Sequence, residues 1–241
     1  MIFETVLLTI KLASLTTIIL LLIGIPLSWW LAFTHNKLKP VIEALVAIPL
    51  VLPPTVLGFY LMILLGSNGF LGQASQYFTG LTLAFTFTGL VIASVLYSMP
   101  FVIQPLQAAF EKLDNRTIEA AYLLGANKLR VFYSIVVPMS RRGFLTAIIL
   151  GFSHTVGEFG VVLMVGGNIP GETQVVSIAI YELVESLEYE SAHQLSFGLM
   201  LFSFVVLYLV YASQSPRRLA NNRPVKNGLA KNRSINDRGD T

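Results

Sequence analysis

Side chains able to do chemistry are few in this sequence and stand far apart. There is no cysteine, which excludes disulfides, thiolate nucleophiles and thiol-ligated metals. His35, His154 and His193 do not form a His/Cys metal cluster, so no metal ligand is expected. The phosphate-cradling pattern G-x-x-x-x-G-K-[ST] is missing, and no Gly-Lys pair occurs anywhere in the chain. What remains is Glu158, the one acid well inside a long apolar stretch, with His154 one helical turn before it and Gly157 and Gly160 beside it. An ionised carboxylate there costs several kcal/mol unless it faces a partner or water, which marks it as a functional candidate. Enzyme chemistry needs a nucleophile–base pair or a metal cluster, and these two side chains are too little for either. No catalytic residue is expected. Glu158 reads instead as a structural pin or gate element bonded to a neighbouring helix, with His154 as a partner on its own face. Gly157 and Gly160 read as sites of close helix contact.

The elements that must position these groups are set by composition. Hydrophobic residues make up 54% of the 241 and charged ones only 12%, about half the charged share of a soluble domain. Mean hydropathy is +0.70. Residues 44–110 contain no Asp, Glu, Lys or Arg, a run of 67 that cannot form a water-facing surface. The chain is therefore expected to be an all-α integral membrane protein, because lipid offers no partner for unpaired backbone groups. Five stretches, uncharged but for Glu158 in the fourth, approach the roughly 20 residues a bilayer needs: Leu12–Phe33, Ala44–Leu65, Leu81–Phe101 or beyond, Phe144–Gly166 and Leu195–Ala212. The first lacks a basic n-region and is too long for a signal peptide. Pro26, Pro49, Pro53, Pro54, Pro100 and Pro105 punctuate the first three spans, each freeing a carbonyl and favouring a kink. For Leu52-Pro53-Pro54-Thr55 two readings stay open: a broken helix lining a translocation route, or a packing kink.

Charge sets the orientation. Residues 1–213 carry 9 basic and 11 acidic side chains, and residues 214–241 carry 7 and 2, so the pI near 9.2 belongs to a tail. That Asn/Arg/Ser/Gly-rich tail reads as disordered and not as a nucleic-acid surface, which would spread basic residues over a folded face. One orientation gathers the 34–40 loop, the 109–142 loop and the tail on a single side with 15 of the 16 basic residues. The positive-inside rule then puts that side in the cytoplasm and the N-terminus outside. The opposite side receives Glu172, Glu182, Glu185, Glu188 and Glu190, along an apolar stripe of Val176, Ile180, Val184 and Leu187. A helix on or dipping into the membrane surface fits that stripe. Its acids read either as a solvated face or as a docking patch for a basic partner.

The 109–142 loop is the longest polar insertion on the basic side. Asp114 or Asn115 can cap a helix carrying Ile118, Ala121 and Tyr122 on one face, and Gly125 ends it. Asn127 can cap a second, with Leu129, Phe132, Tyr133 and Val136, until Pro138 stops it. Helices this short are unstable alone in water, so something must cover their apolar faces.

Glu119-Ala120-Ala121, three residues, Gly125, nine residues and Ile135-Val136-Val137-Pro138 resemble the EAA motif of ABC importer permeases, with Val137 where Leu is usual. His154-Thr155-Val156-Gly157-Glu158-Phe159-Gly160 and Gly167–Thr173 resemble the molybdate and sulfate branch of that family. Leu52–Tyr60 looks like its molybdate members in particular. The resemblance covers residues 5–212 as one permease domain and implies the type I importer fold. It implies that the motif docks a cytoplasmic ATPase, and that the chain pairs with a second copy of itself, two ATPase subunits and an external oxyanion-binding protein. ATP and magnesium would be used by the ATPase and no cofactor by this chain, in a multi-pass protein of a bacterial plasma (inner) membrane. The cargo would be a tetrahedral oxyanion, molybdate first and sulfate, thiosulfate or tungstate next. Pro53, Pro54, Thr55, Gly157, Glu158 and Gly160 are the pathway or gate candidates. A stand-alone secondary anion transporter would instead show paired intramembrane charges and inverted repeats, and neither is evident.

Overall fold

The structure is a computed structural model and describes residues 2–214. The described residues contain helices and no strand. In order they are α1 (Ile2–Phe33), α2 (Lys39–Val51), α3 (Pro54–Leu65), α4 (Phe70–Thr79), α5 (Phe87–Phe110), α6 (Asn115–Leu123), α7 (Lys128–Val131), a π-turn (Phe132–Val136), α8 (Val137–Gly157), α9 (Gly160–Gly166), α10 (Val176–Glu185) and α11 (Tyr189–Gln214). Five segments are long and apolar enough to cross a bilayer: Ile2–Phe33, Pro54–Thr79, Phe87–Phe110, Lys128–Gly157 and Tyr189–Ala212. The basic tail expected over 214–241 lies outside the described residues, apart from Gln214 at the end of α11.

The centre of the bundle is α5, whose apolar stretch is 61% buried against 6% for α11. Between membrane helices no solvent drives association, so close packing of small residues must do it. Ala93, Ser94 and Ser98 are fully buried along α5. Val102 is seated between two glycines: a Cβ on Gly24 of α1 would lie 3.4 Å from its side chain, and one on Gly151 of α8 only 2.5 Å. The Ser28 hydroxyl donates to the Ile103 carbonyl at 3.1 Å and fixes the register of α1 on α5. At one end, the Lys39 ammonium lies 3.7 Å from Glu43 and 3.6 Å from Glu111, and the Gln107 amide donates to Glu43 at 2.7 Å. The 34–38 loop and the 109–142 loop therefore share an end, as the charge pattern requires.

Several boundaries differ from the sequence expectation. Helix α1 starts at Ile2, ten residues before the expected span. Helix α5 starts at Phe87, where the Thr86 hydroxyl caps it by accepting from the Gly89 N–H at 3.2 Å. The preceding segment is tied down by Ala84 N–H to Leu65 C=O (3.2 Å) and Phe85 N–H to Val165 C=O (2.8 Å). Pro26, Pro49, Pro100 and Pro105 sit inside unbroken helices. The expected second span, Ala44–Leu65, is broken between α2 and α3. There Pro53 and Pro54 remove two successive donors, and each holds the residue before it in an extended conformation. The expected fourth span, Phe144–Gly166, is likewise broken between α8 and α9. The buried stripe of α10 is rotated from the expected one: Val176, Ile178 and Ala179 face the bundle, while Val184 and Leu187 are exposed. Its first N–H donates to the Thr9 hydroxyl at 2.9 Å, so α10 packs into the bundle beside α1.

The two broken helices place their upper halves side by side. A Cβ on Gly58 of α3 would meet the Met164 Cβ of α9 at 2.8 Å and the Val161 Cα at 3.2 Å. Neither is the loose end of a side chain, so the helices must separate to admit a methyl group. Gly58→Ala is expected to cost about 1–3 kcal/mol of stability, read as a lowered thermal midpoint of the detergent-solubilised protein. An unchanged midpoint would show that the α3–α9 contact is looser than described.

Candidate functional site

Two features gather the residues singled out from sequence. The first is the hairpin of α6 and α7. The Asp114 carboxylate caps α6 by accepting from the Arg116 N–H at 3.0 Å, and Asn127 caps α7 by accepting from the Arg130 N–H at 2.8 Å. Gly125 takes φ +82° between them, with open space around its Cα, so only its backbone conformation calls for glycine there. Glu119 and Ala120 are exposed, while Ala121 and Ile135 pack against the core. Pro138 does not stop the second helix. The π-turn precedes it, with the Val137 N–H reaching back to the Phe132 carbonyl, and the helix runs on into α8 as one rod from Lys128 to Gly157. The wider turn shifts the hydrogen-bond register where proline lacks its N–H, so the chain bends instead of breaking. The hairpin also covers part of its own apolar surface, since Ile118, Val131 and Val136 are buried in the chain. What stays uncovered is a patch of Tyr122, Leu123, Leu124, Leu129 and Tyr133, with both leucines at 123 and 124 nearly fully exposed.

The second feature is a cavity of about 510 Å³ where the two helix breaks meet. At about 1.5 Å per residue α2 and α3 extend roughly 20 and 18 Å to either side of their break. Pro54, Thr55, Gly157, Glu158 and Gly160 all line this cavity. Pro53 does not; its carbonyl starts α3 by accepting from Val56 (3.0 Å) and Leu57 (3.2 Å). Glu158 is buried, and its two carboxylate oxygens accept from the N–H groups of Val161 (2.6 Å) and Val162 (3.1 Å). It is a pin, but one bonded to the helix that follows it. Its main-chain carbonyl accepts from the Ser177 hydroxyl at 2.6 Å, which ties in α10. The expected pairing with His154 is not made. The imidazole Nδ1 lies 3.0 Å from the Ser98 hydroxyl, and its ring stacks on Phe101 with centroids 3.8 Å apart. The sequence reading missed Tyr97 and Ser153 of the lining and the stacked Phe101. The four-residue step from Tyr97 to Phe101 was the one available signal. The chamber's mostly apolar wall, with Pro54 and Phe159, carries the hydroxyls of Thr55, Tyr97 and Ser153 and the His154 imidazole, and its one carboxylate is engaged by backbone.

Residues 24–218 match the family described as binding-protein-dependent transport system inner membrane component. The chain belongs to that family. Among curated relatives, the molybdenum transport system permease protein ModB of Azotobacter vinelandii is 56% identical over 207 residues, covering 86% of this chain and 92% of its own. ModB of Escherichia coli K12 is 35% identical over 188 residues, 78% of this chain and 82% of its own. The sulfate transport system permease protein CysT of Synechocystis is 32% identical over 200 residues, 83% and 70%. Among solved structures, a bacterial ABC transporter involved in alginate import aligns with TM-score 0.69 at 16% identity, covering 88% of this chain and 78% of its own. The inward-facing methionine transporter MetNI aligns with TM-score 0.62, also at 16% identity, covering 88% and 96%. The fold is that of ABC transporter permeases.

The α9 cap generates a prediction. Glu158→Ala strips acceptors from two buried N–H groups and should destabilise by about 2 kcal/mol. Glu158→Gln keeps one acceptor and should lose distinctly less. Thermal unfolding of both variants in one detergent checks the order; equal losses would show that capping is not what Glu158 supplies.

Proposed function

We propose that this chain is the membrane-spanning subunit of an ATP-driven importer for a tetrahedral oxyanion, and that the anion is molybdate. The observation that carries this is the 56% identity with the Azotobacter vinelandii molybdenum permease over nearly the full length of both chains. In this reading the protein lies in a bacterial inner membrane as a homodimer, N-terminus outside and tail in the cytoplasm. The exposed Tyr122–Leu124 patch, with Leu129, Tyr133 and Glu119, docks one of two ATPase subunits, which supply ATP hydrolysis in trans. The five exposed glutamates from Glu172 to Glu190 receive the oxyanion-binding protein on the other face. One of the solved alginate transporters is in complex with a substrate-bound periplasmic protein, which supports a partner of that kind.

The mechanism follows from the hairpin being continuous with α8. ATP binding closes the ATPase dimer and draws the two hairpins together. Each rod of α7 and α8 turns with its hairpin and carries the Glu158 break, so the chamber opens outward. Hydrolysis reverses the motion, and the anion never meets a continuous hole. Sulfate is the second reading, favoured by the similarity to the sulfate permease of Synechocystis.

Reconstituting the chain with its ATPase and binding protein, then comparing uptake of molybdate and sulfate, tests the cargo; sulfate uptake equal to or above molybdate would overturn it. A coupling test uses Gly125→Val. A β-branched side chain at φ +82° carries a left-handed penalty of at least about 1–2 kcal/mol and must bend the hairpin. The variant should insert normally and keep basal ATPase activity, while uptake per ATP falls by about tenfold. Normal uptake would remove the hairpin from the coupling path.

A further inference from the structure

A second cavity, of about 550 Å³, opens at the hairpin end between the last turns of α5 and the first turns of α8. Its walls include Ala108 and Lys112 on one side and Ser140, Arg142, Gly143 and Thr146 on the other, with no Asp or Glu among them. Among the described residues neither Lys112 nor Arg142 is in an ion pair. The nearby acids are engaged elsewhere: Glu43 and Glu111 hold Lys39 and Gln107, and Asp114 caps α6. Ser140 is buried, and its hydroxyl has no hydrogen-bond partner among the described residues. Two cations thus sit around one opening from which acids are kept away.

This cavity and the chamber at the helix breaks line up along the same faces of α5 and α8. On α5 the residues at 97, 101, 105, 108 and 112 follow steps of three and four, one face of a helix. On α8 the residues at 139, 142, 143, 146, 153 and 157, at 100° per residue, also fall on one face, running in the other direction. Tyr97, Ser153 and Gly157 belong to the chamber, and Lys112, Arg142 and Thr146 to the second cavity. Between them stands the Phe101–His154 stack. The chamber contains no Lys or Arg, so fixed positive charge lines these faces only beyond the stack.

We propose that the Lys112–Arg142 cavity is a binding subsite for a tetrahedral oxyanion at the hairpin end of these two faces. The guanidinium offers a planar fork to two anion oxygens and the ammonium a point charge to a third. Two sources carry that chemistry. One is the transported dianion, held after it has passed the stack, and this version rests on the function proposed above. The other is the phosphate of an anionic lipid headgroup.

The test uses the permease–ATPase complex in nanodiscs of neutral phosphatidylcholine, with radiolabelled molybdate alone as the probe and equilibrium binding as the readout. Lys112→Gln with Arg142→Gln should weaken binding about tenfold or more, while Lys112→Arg with Arg142→Lys retains it. Lys128→Gln with Arg130→Gln removes the same charge elsewhere on the hairpin and should leave binding unchanged. A parallel arm in phosphatidylglycerol nanodiscs scores retained lipid by native mass spectrometry. Molybdate binding that depends on Lys112 and Arg142 identifies the cargo as occupant. Lipid retention that depends on them, with molybdate displaced, identifies the headgroup. If both anions bind the neutralised protein as well as the wild type, or neither binds the wild type, the subsite is refuted. Uptake assays keep the two ideas apart: a complex that imports no molybdate but binds an oxyanion through Lys112 and Arg142 loses its proposed cargo and keeps its subsite. If the neutralised pair does not assemble, the charge-swapped pair decides, because lost binding there with intact assembly also refutes the proposal.

Discussion

A backbone N–H or C=O without a partner in hydrocarbon costs several kcal/mol, so a membrane helix can be interrupted only where something else satisfies its ends. This chain interrupts two long helical stretches, at 52–53 and at 158–159, and the two breaks lie side by side. The solutions differ. At the α2–α3 break proline needs no partner for its nitrogen, and the Pro53 carbonyl accepts the first N–H groups of α3. At the α8–α9 break Glu158 folds its carboxylate onto the first free N–H groups of α9. The N-terminal ends of α3 and α9 are thus satisfied by residues within the breaks. That leaves Thr55, Tyr97, Ser153 and His154 as the remaining polar groups in an otherwise apolar cavity lining.

Tight solutions require close helices. Gly58 lies against Met164, Gly160 against Pro54, and Gly151 against Val102, and none of these sites has room for a methyl group. These contacts lock α3 to α9 and α8 to α5, so the two breaks cannot move apart independently. Helix α11 is different: little of its surface is covered within the chain, and it contributes nothing to the chamber. The working part of the molecule is the block built on α1, α3, α5, α8 and α9.

The membrane character, the count of five spans, the caps of the hairpin helices and the αL turn at Gly125 were legible because each rests on local sequence: run length, a side-chain oxygen before a helix, a glycine with no Cβ. Of the six residues singled out as gate candidates, five line one cavity. What sequence could not give was partnership. From spacing, Glu158 and His154 one turn apart look like a pair. In three dimensions the chain breaks directly after Gly157, so the carboxylate turns forward to α9 while the imidazole faces α5. Pro138 was misread for a related reason. Proline ends a helix by rule, but the rule assumes regular register, and the π-turn over Phe132–Val136 changes the register just before it. Lys112 and Arg142, thirty positions apart, meet only because α5 and α8 are antiparallel neighbours.

That π-turn matters for how force could travel. Had Pro138 broken the chain, the hairpin would hang from α8 by a loop, and a push on it would be absorbed there. Instead Lys128–Gly157 is one helical run of 30 residues, about 45 Å long, with the hairpin at one end and the Glu158 break at the other. A helix of that length transmits rotation with little loss, and the π-turn adds a single place where it can bend. Tilting the hairpin therefore displaces Glu158 and the start of α9. Gly160 carries that motion into Pro54 and Gly58 into Met164, and the second break has to follow. Along the same rod the Phe101–His154 stack sits between chamber and hairpin-end cavity, with one ring on α5 and the other on α8. Sliding α8 against α5 shears that stack together with the Gly151–Val102 contact, since both join the same two helices closely. The geometry thus links one displacement to two events at opposite ends of the chamber, a change at the helix breaks and a parting of the aromatic pair, without requiring any element to deform in its middle.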